Sequence, residues 1–192
     1  MEDEMKLDTA PRNWSYEEFA QLPDDGNRYE IIAGELYVTP SPLAWHQVVV
    51  TRLTVLLASF VTQHALGEVL VGPVDVIFGE QDYLAPDLVF VRRDRLDVIA
   101  RRWIEAAPAL VVEVLSRSTG ARDRGIKRER YALFGVAEYW VVDPKKKRIE
   151  VHRLADGYDR PAIITDSLLW QFAPDAPALE IGMAELFRDF GK

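Results

Sequence analysis

Leu110-Val111-Val112-Glu113-Val114-Leu115 is an apolar, largely β-branched run with one acid in its middle. It reads as a core strand. An isolated charge in a core is strongly unfavourable unless it is paired or bound to a metal ion. Upstream, Ala85-Pro86-Asp87 leads into a second such run, Leu88-Val89-Phe90-Val91, so a second acid stands at the start of a second core strand. If the two strands are neighbours, Asp87 and Glu113 converge at one end of the sheet. Their mutual repulsion raises one carboxyl pKa. A hard divalent cation relieves that repulsion, and oxygen ligands suit Mg²⁺ or Mn²⁺. The alternative is that Glu113 pairs with an arginine.

Downstream, the spacing predicts a helix from Arg122 to Phe134, ended by Gly135. Asp123, Lys127 and Tyr131 fall four apart on one stripe. Ile126, Leu133 and Phe134 flank that stripe and place Lys127 at the margin of the buried face. A lysine there, close to a metal, orients water or stabilises phosphate charge. The plainer reading is an Asp123–Lys127 helix pair worth about a few tenths of a kcal/mol. Gly120 and Gly125 have P-loop spacing, but Ile126 stands where a P-loop needs lysine, and Asp123 would repel a nucleotide phosphate, which excludes a nucleoside triphosphatase. There is no G-x-S-x-G elbow. The three histidines, His46, His64 and His152, form no H-E-x-x-H motif.

Further out, Ser15 and Glu18 form a capping box for a short helix that Pro23 and Gly26 end. Tyr29–Ile32 and Glu35–Val38 read as a hairpin around Ala33-Gly34. His46 to His64 is the longest helical stretch, with Val49, Leu53, Leu56, Leu57 and Phe60 as its buried stripe and Gly67 closing it. His46 opens that helix, facing either the end of the sheet or water. Strands are expected at Glu68–Val71, Val74–Phe78, Glu138–Val142, Ile149–Arg153, Ala162–Ile164 and Leu179–Ile181, with a last helical turn at Met183–Phe187. Strands interleaved with two substantial helices and hairpins predict a mixed sheet of α/β or α+β type. Residues 1–13 read as a flexible arm and 14–192 as a single domain.

The chain has 192 residues, is 48% hydrophobic and has a formal net charge of −8. That charge argues against non-specific coating of nucleic acid. Residues 92–130, however, hold 11 Lys/Arg against 6 Asp/Glu, a local +5 that can meet phosphates or simply form a solvated face. No run approaches the ~18 consecutive apolar residues of a membrane span. The absence of cysteine excludes disulfides and thiolate metal sites and suits a cytoplasmic setting.

Taken in order, Tyr29–Pro42 (YEIIAGELYVTPSP) with His46-Gln47, then APDLVFV, then LVVEVLSRST with Asp123, Lys127 and Tyr131, then GVAEYWVVDP, resemble the Uma-type restriction endonuclease family of the PD-(D/E)XK nuclease superfamily. The likeness runs from Tyr29 to Arg153. It implies a restriction-endonuclease-like core, a central mixed sheet flanked by helices, and Mg²⁺-dependent cleavage of DNA. Pro86-Asp87 corresponds to the PD element and Glu113 to the acid of (D/E)XK. Leu115 stands where the simplest pattern has lysine, and the resemblance places that lysine on the following helix, at Lys127. It further implies that Asp87, Glu113 and the Val114 carbonyl hold one metal, that Glu35 and His46 complete the site, and that Asp123 fixes Lys127. Arg117, Arg122, Arg124 and Arg128 are expected to contact the nucleic-acid backbone. Tyr139-Trp140 reads as sheet packing. Cutting both strands with one site per chain implies a homodimer. The competing reading is a catalytically silent module that kept the fold and binds nucleic acid or a protein partner. Glu113→Gln and Lys127→Ala are both expected to abolish cleavage with the fold intact.

Overall fold

The computed structural model describes residues 14–116 and 118–190. The expected arm 1–13 and Arg117 lie outside the described residues. Ser15 caps α1 (Tyr16–Phe19) through the expected capping box, although the helix ends before Pro23. The hairpin β1 (Arg28–Ile32) and β2 (Glu35–Thr39) turns at Ala33 and Gly34, both at positive φ, the two-residue turn whose twist suits paired strands. α2 (Ala44–Gln63) follows, and Ala65 rather than Gly67 adopts the left-handed turn after it. Gly67 instead begins β3 (Gly67–Val71), where a Cβ would lie 2.0 Å from the Val91 carbonyl oxygen.

The remaining elements are β4 (Asp75–Gly79), β5 (Asp82–Leu84), β6 (Leu88–Arg92), β7 (Trp103–Ile104) and β8 (Leu110–Val114), then α3 (Gly120–Arg122), a π turn (Asp123–Lys127) and α4 (Arg128–Leu133). β9 (Glu138–Asp143), β10 (Arg148–Arg153), β11 (Ala162–Ile164), β12 (Ser167–Trp170), β13 (Leu179–Gly182) and α5 (Met183–Leu186) complete the chain. The expected mixed α/β class holds. A six-stranded sheet has the order β11-β10-β9-β8-β6-β3, with β8 and β9 parallel and the other pairs antiparallel. A second, five-stranded sheet, β2-β1-β5-β4-β7, grows from the N-terminal hairpin.

β8 lies inside the six-stranded sheet and both its faces are covered, which explains its unbroken apolar run. Leu110, Val112 and Val114 join Trp140 and Val142 against Val49, Leu53 and Leu57 of α2 and against Trp170 of the C-terminal hairpin. Val111 points the other way, with Val89, Tyr139 and Val141, onto Tyr131 of α4 and Ile32 and Leu84 of the second sheet. Period-two alternation puts Glu113 on this second face. Tyr139 and Trp140 are fully buried sheet residues, as expected. α2 is long and apolar enough to cross a membrane by length and composition, although its uninterrupted apolar runs are short. In the fold its His46, Val49, Val50, Leu53, Leu57, Phe60 and Val61 are buried, as in a core helix.

Candidate active site

Asp87 immediately precedes β6, which pairs with β8, so it lies beside the end of the strand that carries Glu113. Its Oδ2 accepts the Val114 N–H at 2.8 Å, which replaces the ladder partner that β6 no longer supplies there. The same oxygen meets His46 Nε2 at 3.1 Å, and Oδ1 accepts from Arg28 at 3.0 Å. Glu113 Oε1 accepts from Lys127 Nζ at 2.7 Å and from the Tyr131 hydroxyl at 2.9 Å. Among the described residues no hydrogen bond reaches Glu113 Oε2. Asp87 is 4% exposed, Glu113 3% and Lys127 2%.

Lys127 reaches this position because of the π turn. Regular α geometry gives way at Gly125, and both Asp123 and Lys127 are buried. The Tyr139 hydroxyl donates to the Asp123 carbonyl at 3.0 Å and pins the turn to the sheet. Lys127 therefore sits between Glu113 and Glu30, whose Oε1 lies 2.6 Å from its Nζ, with Asp123 further off at 4.0 Å. The partner of Glu113 is thus this lysine and a tyrosine rather than an arginine. The Asp123–Lys127 pair exists, but it is the weakest of the three contacts.

Arg28, His46, Asp87, Glu113, Asp123 and Lys127 line one cleft of about 290 Å³. Around it four carboxylates (Glu30, Asp87, Glu113 and Asp123) face three permanent cations (Arg28, Arg122 and Lys127), one negative charge in excess. The surplus falls on Glu113. Burial, with Asp123, Asp87 and Glu30 nearby, pushes its carboxyl up to about 8 against the opposing pull of Lys127. Burial likewise raises Asp123 despite Lys127. At Glu30 burial is outweighed by Lys127 and Arg122, which hold the carboxyl below its ordinary range. At Asp87 it is outweighed by His46, Arg28 and the Val114 N–H, with the same result. Burial disfavours the Lys127 ammonium, yet Glu113, Glu30 and Asp123 hold it above the usual lysine range.

His46 is buried in the cleft rather than turned to water, and its Nδ1 has no hydrogen-bond partner. Asp123 Oδ1 is also buried without one. Glu35 is not in the cleft. It is exposed on β2 and accepts from the Tyr37 hydroxyl at 2.9 Å. The hairpin acid that reaches the site is Glu30, one strand earlier, in the middle of β1, where its carboxylate accepts from the Ala85 N–H at 2.9 Å. Arg122 lines the cleft, pairs with Glu30 at 3.5 Å and donates to Thr39. Arg124 is taken up by Asp143 and Glu150, at 2.7 and 2.8 Å, and Arg128 lies near Asp159 and Glu129 outside the cleft. Glu30, Arg28 and Tyr131 are the site residues that sequence reasoning gave no role.

Among the described residues no three His, Asp or Glu side chains are grouped so as to hold a metal ion by themselves. The donor chemistry nevertheless suits a hard cation: the donors are buried carboxylates, one charge in excess, and Asp123 Oδ1 lacks a hydrogen-bond partner. Mg²⁺ commonly takes only one or two carboxylates and keeps water and phosphate oxygens as its other ligands, so a three-acid cage is not required.

The fold is a mixed α/β fold of the kind found in a solved nuclease-like protein, with this buried acid–lysine cleft at the end of β8. It aligns with the crystal structure of a protein described as a putative nuclease belonging to DUF820 from Anabaena variabilis, with a TM-score of 0.74 and 19% identity, over 91% of this chain and 97% of that one. The chain belongs to the Uma2 family, described as "Putative restriction endonuclease", which it matches over residues 16–184. It is also 31% identical over 150 residues to "Uncharacterized protein slr1290" of Synechocystis, covering 76% of each chain.

Proposed function

We propose that the cleft holds one Mg²⁺ or Mn²⁺ ion and that the protein is an endonuclease hydrolysing phosphodiester bonds in DNA. The observation that carries this reading is the meeting of Asp87, Glu113 and Lys127 in one buried cleft with a carboxylate in excess. A divalent cation and one phosphodiester together add one positive charge, which brings the cluster to neutrality. Asp87, Glu113 and the Val114 carbonyl would hold the ion. Such an ion, when bound, lowers the pKa of its water and polarises a phosphoryl oxygen.

The chain's own groups do the rest. Glu113 must be in its carboxylate form to bind, so it gives up the proton that burial favours. Lys127 stays charged and would stabilise negative charge developing on the phosphoryl group. Glu30 and Asp123 hold Lys127 in place. His46 and Arg28 fix the Asp87 carboxylate, and Arg122 is the cleft's own cation for a phosphate. One site cuts one strand, so cutting both strands of a duplex would take two chains, as in a homodimer. The absence of cysteine supports a reducing, cytoplasmic setting.

The test is cleavage of plasmid, linear duplex and single-stranded DNA by the purified chain with Mg²⁺ or Mn²⁺, beside Glu113→Gln. Cleavage is expected from the wild type alone. Equal cleavage by Glu113→Gln would remove the cleft from the reaction. The silent-module reading draws on the fact that every acid at the site already has a cationic neighbour. Under that reading the folded wild type would leave DNA intact with either metal.

A further inference from the structure

A larger groove of about 760 Å³ adjoins the cleft and shares Leu43, His46, Ser116 and Ser118 with it. One side of it is the start of α2, with Leu43 and Trp45, and beyond them Phe190. The other is the turn after β9, with Pro144, Lys145 and Lys146. Trp45 packs edge-on against Phe190, ring centroids 5.7 Å apart, and still leaves 37% of its surface open, while Leu43 is 69% exposed. Part of an indole and most of a leucine thus stand uncovered beside the site.

Among the cations of the cleft and the groove, the arginines and the lysines differ. Arg28, Arg122 and Arg124 are each neutralised by an acid of the chain itself. Asp143, the acid in the groove, is neutralised by Arg124 at 2.7 Å. Lys145 and Lys146 are exposed, and among the described residues neither makes an ion pair. α2 opens into the same groove with no acid in its first turn and no side-chain cap, so the positive end of its dipole adds to the lysines. The groove therefore offers an aromatic platform in a local positive field, inside a chain of net charge −8.

A duplex is a poor match for that platform, because its base faces are stacked on one another and only base edges and phosphates reach the surface. An unpaired base has a free face, and stacking on an aromatic side chain is tolerant of sequence. We infer that this groove binds an unpaired stretch of nucleic-acid strand, with Trp45 stacking on a base and Lys145 and Lys146 meeting phosphates, and delivers a single strand to the adjoining Asp87–Glu113 cleft. The inference names a substrate class for the nuclease and rests on that reading.

The test is fluorescence anisotropy with the full-length chain in EDTA, where nothing is cut, using a labelled mixed-sequence DNA strand and the same strand annealed to its complement. The single strand is expected to bind about tenfold more tightly than the duplex. Trp45→Ala is expected to weaken single-strand binding about tenfold and to leave duplex binding unchanged. Trp45→Phe should restore most of the loss. Lys145→Ala with Lys146→Ala is expected to flatten the slope of log affinity against log salt by about 1.4, the value for two phosphate contacts on a single strand. Circular dichroism of each variant checks its fold.

Equal affinity for strand and duplex, or an unchanged Trp45→Ala in that assay, would overturn the inference. So would a Trp45→Ala effect that Trp45→Phe fails to reverse, which marks packing rather than stacking. Groove and nuclease fail separately. Single-strand binding that depends on Trp45 without any metal-dependent cleavage supports the groove and counts against the nuclease. Metal-dependent cleavage of duplex without strand preference overturns the groove and leaves the nuclease standing.

Discussion

Lys127 is the single cation between Glu113 and Glu30, at 2.7 and 2.6 Å, with all three side chains buried. Removing it leaves two carboxylates in the interior without that partner. Breaking a buried pair in this way costs about 3–5 kcal/mol. Lys127→Ala is therefore expected to lose stability as well as activity, visible as a lowered urea midpoint, which revises the sequence expectation of an intact fold. Glu113→Gln keeps the volume and an acceptor for Tyr131 and Lys127 and removes the surplus charge, so it is the cleaner variant. The Glu113 carboxyl is raised from an ordinary 4.5 to about 8 in the fold. The folded state then holds a proton that the unfolded chain releases, so this group's contribution is full below pH 4.5 and is lost as pH rises to about 8. Glu30 and Asp87 are shifted downward, and their contributions are lost only at more acidic pH. Urea titrations of the metal-free protein should show wild-type stability falling across that window and a flatter profile for Glu113→Gln. Equal slopes would mean that Glu113 does not titrate there. Glu113 was legible because an acid inside an apolar run needs a partner. Tyr29-Glu30-Ile31-Ile32 carries the same signal, but the motif order drew attention to Glu35 instead. Arg28 gave no signal, since its partner Asp87 is 59 residues away and only the pairing of two sheets brings them together.

At the scale of elements, β3 packs closely against the end of β6 that lies away from Asp87. Gly67 has φ 152°, and a Cβ there would meet the Val91 carbonyl oxygen at 2.0 Å. Backbone cannot yield as a flexible side chain can, so Gly67→Ala is expected to cost about 2–4 kcal/mol. A thermal melt indistinguishable from wild type would show that the sheet edge moves freely. Long-range periodicity made the main elements legible: α2, β8 and β9 fall close to where the apolar patterns put them. The π turn was not legible, because its widened turn is fixed by tertiary contacts such as Tyr139 to Asp123, not by spacing. β7 has two residues, too short for a pattern to rise above its surroundings. The second sheet was hidden for a related reason. β3 and β4 are consecutive in the chain, yet they belong to different sheets.

Across the whole molecule, acidic overall charge and nucleic-acid chemistry are compatible if binding is local. The acid cleft needs a cation before it can face a phosphate, and the neighbouring groove supplies positive charge without one. A ligand that binds only the folded state stabilises it by about 2.7 kcal/mol at 100 times its dissociation constant. Saturating Mn²⁺ is therefore expected to raise the melting temperature of the wild type and to leave that of Glu113→Gln unchanged. The most direct measurement of the central claim is calorimetric titration of Mn²⁺ into the folded chain at about pH 8, where Glu113 can release its proton. One saturable site per chain, lost in Glu113→Gln with the fold intact, is the predicted result. Absence of saturable binding by the wild type, or binding unchanged in Glu113→Gln, would contradict a metal site built on Asp87 and Glu113.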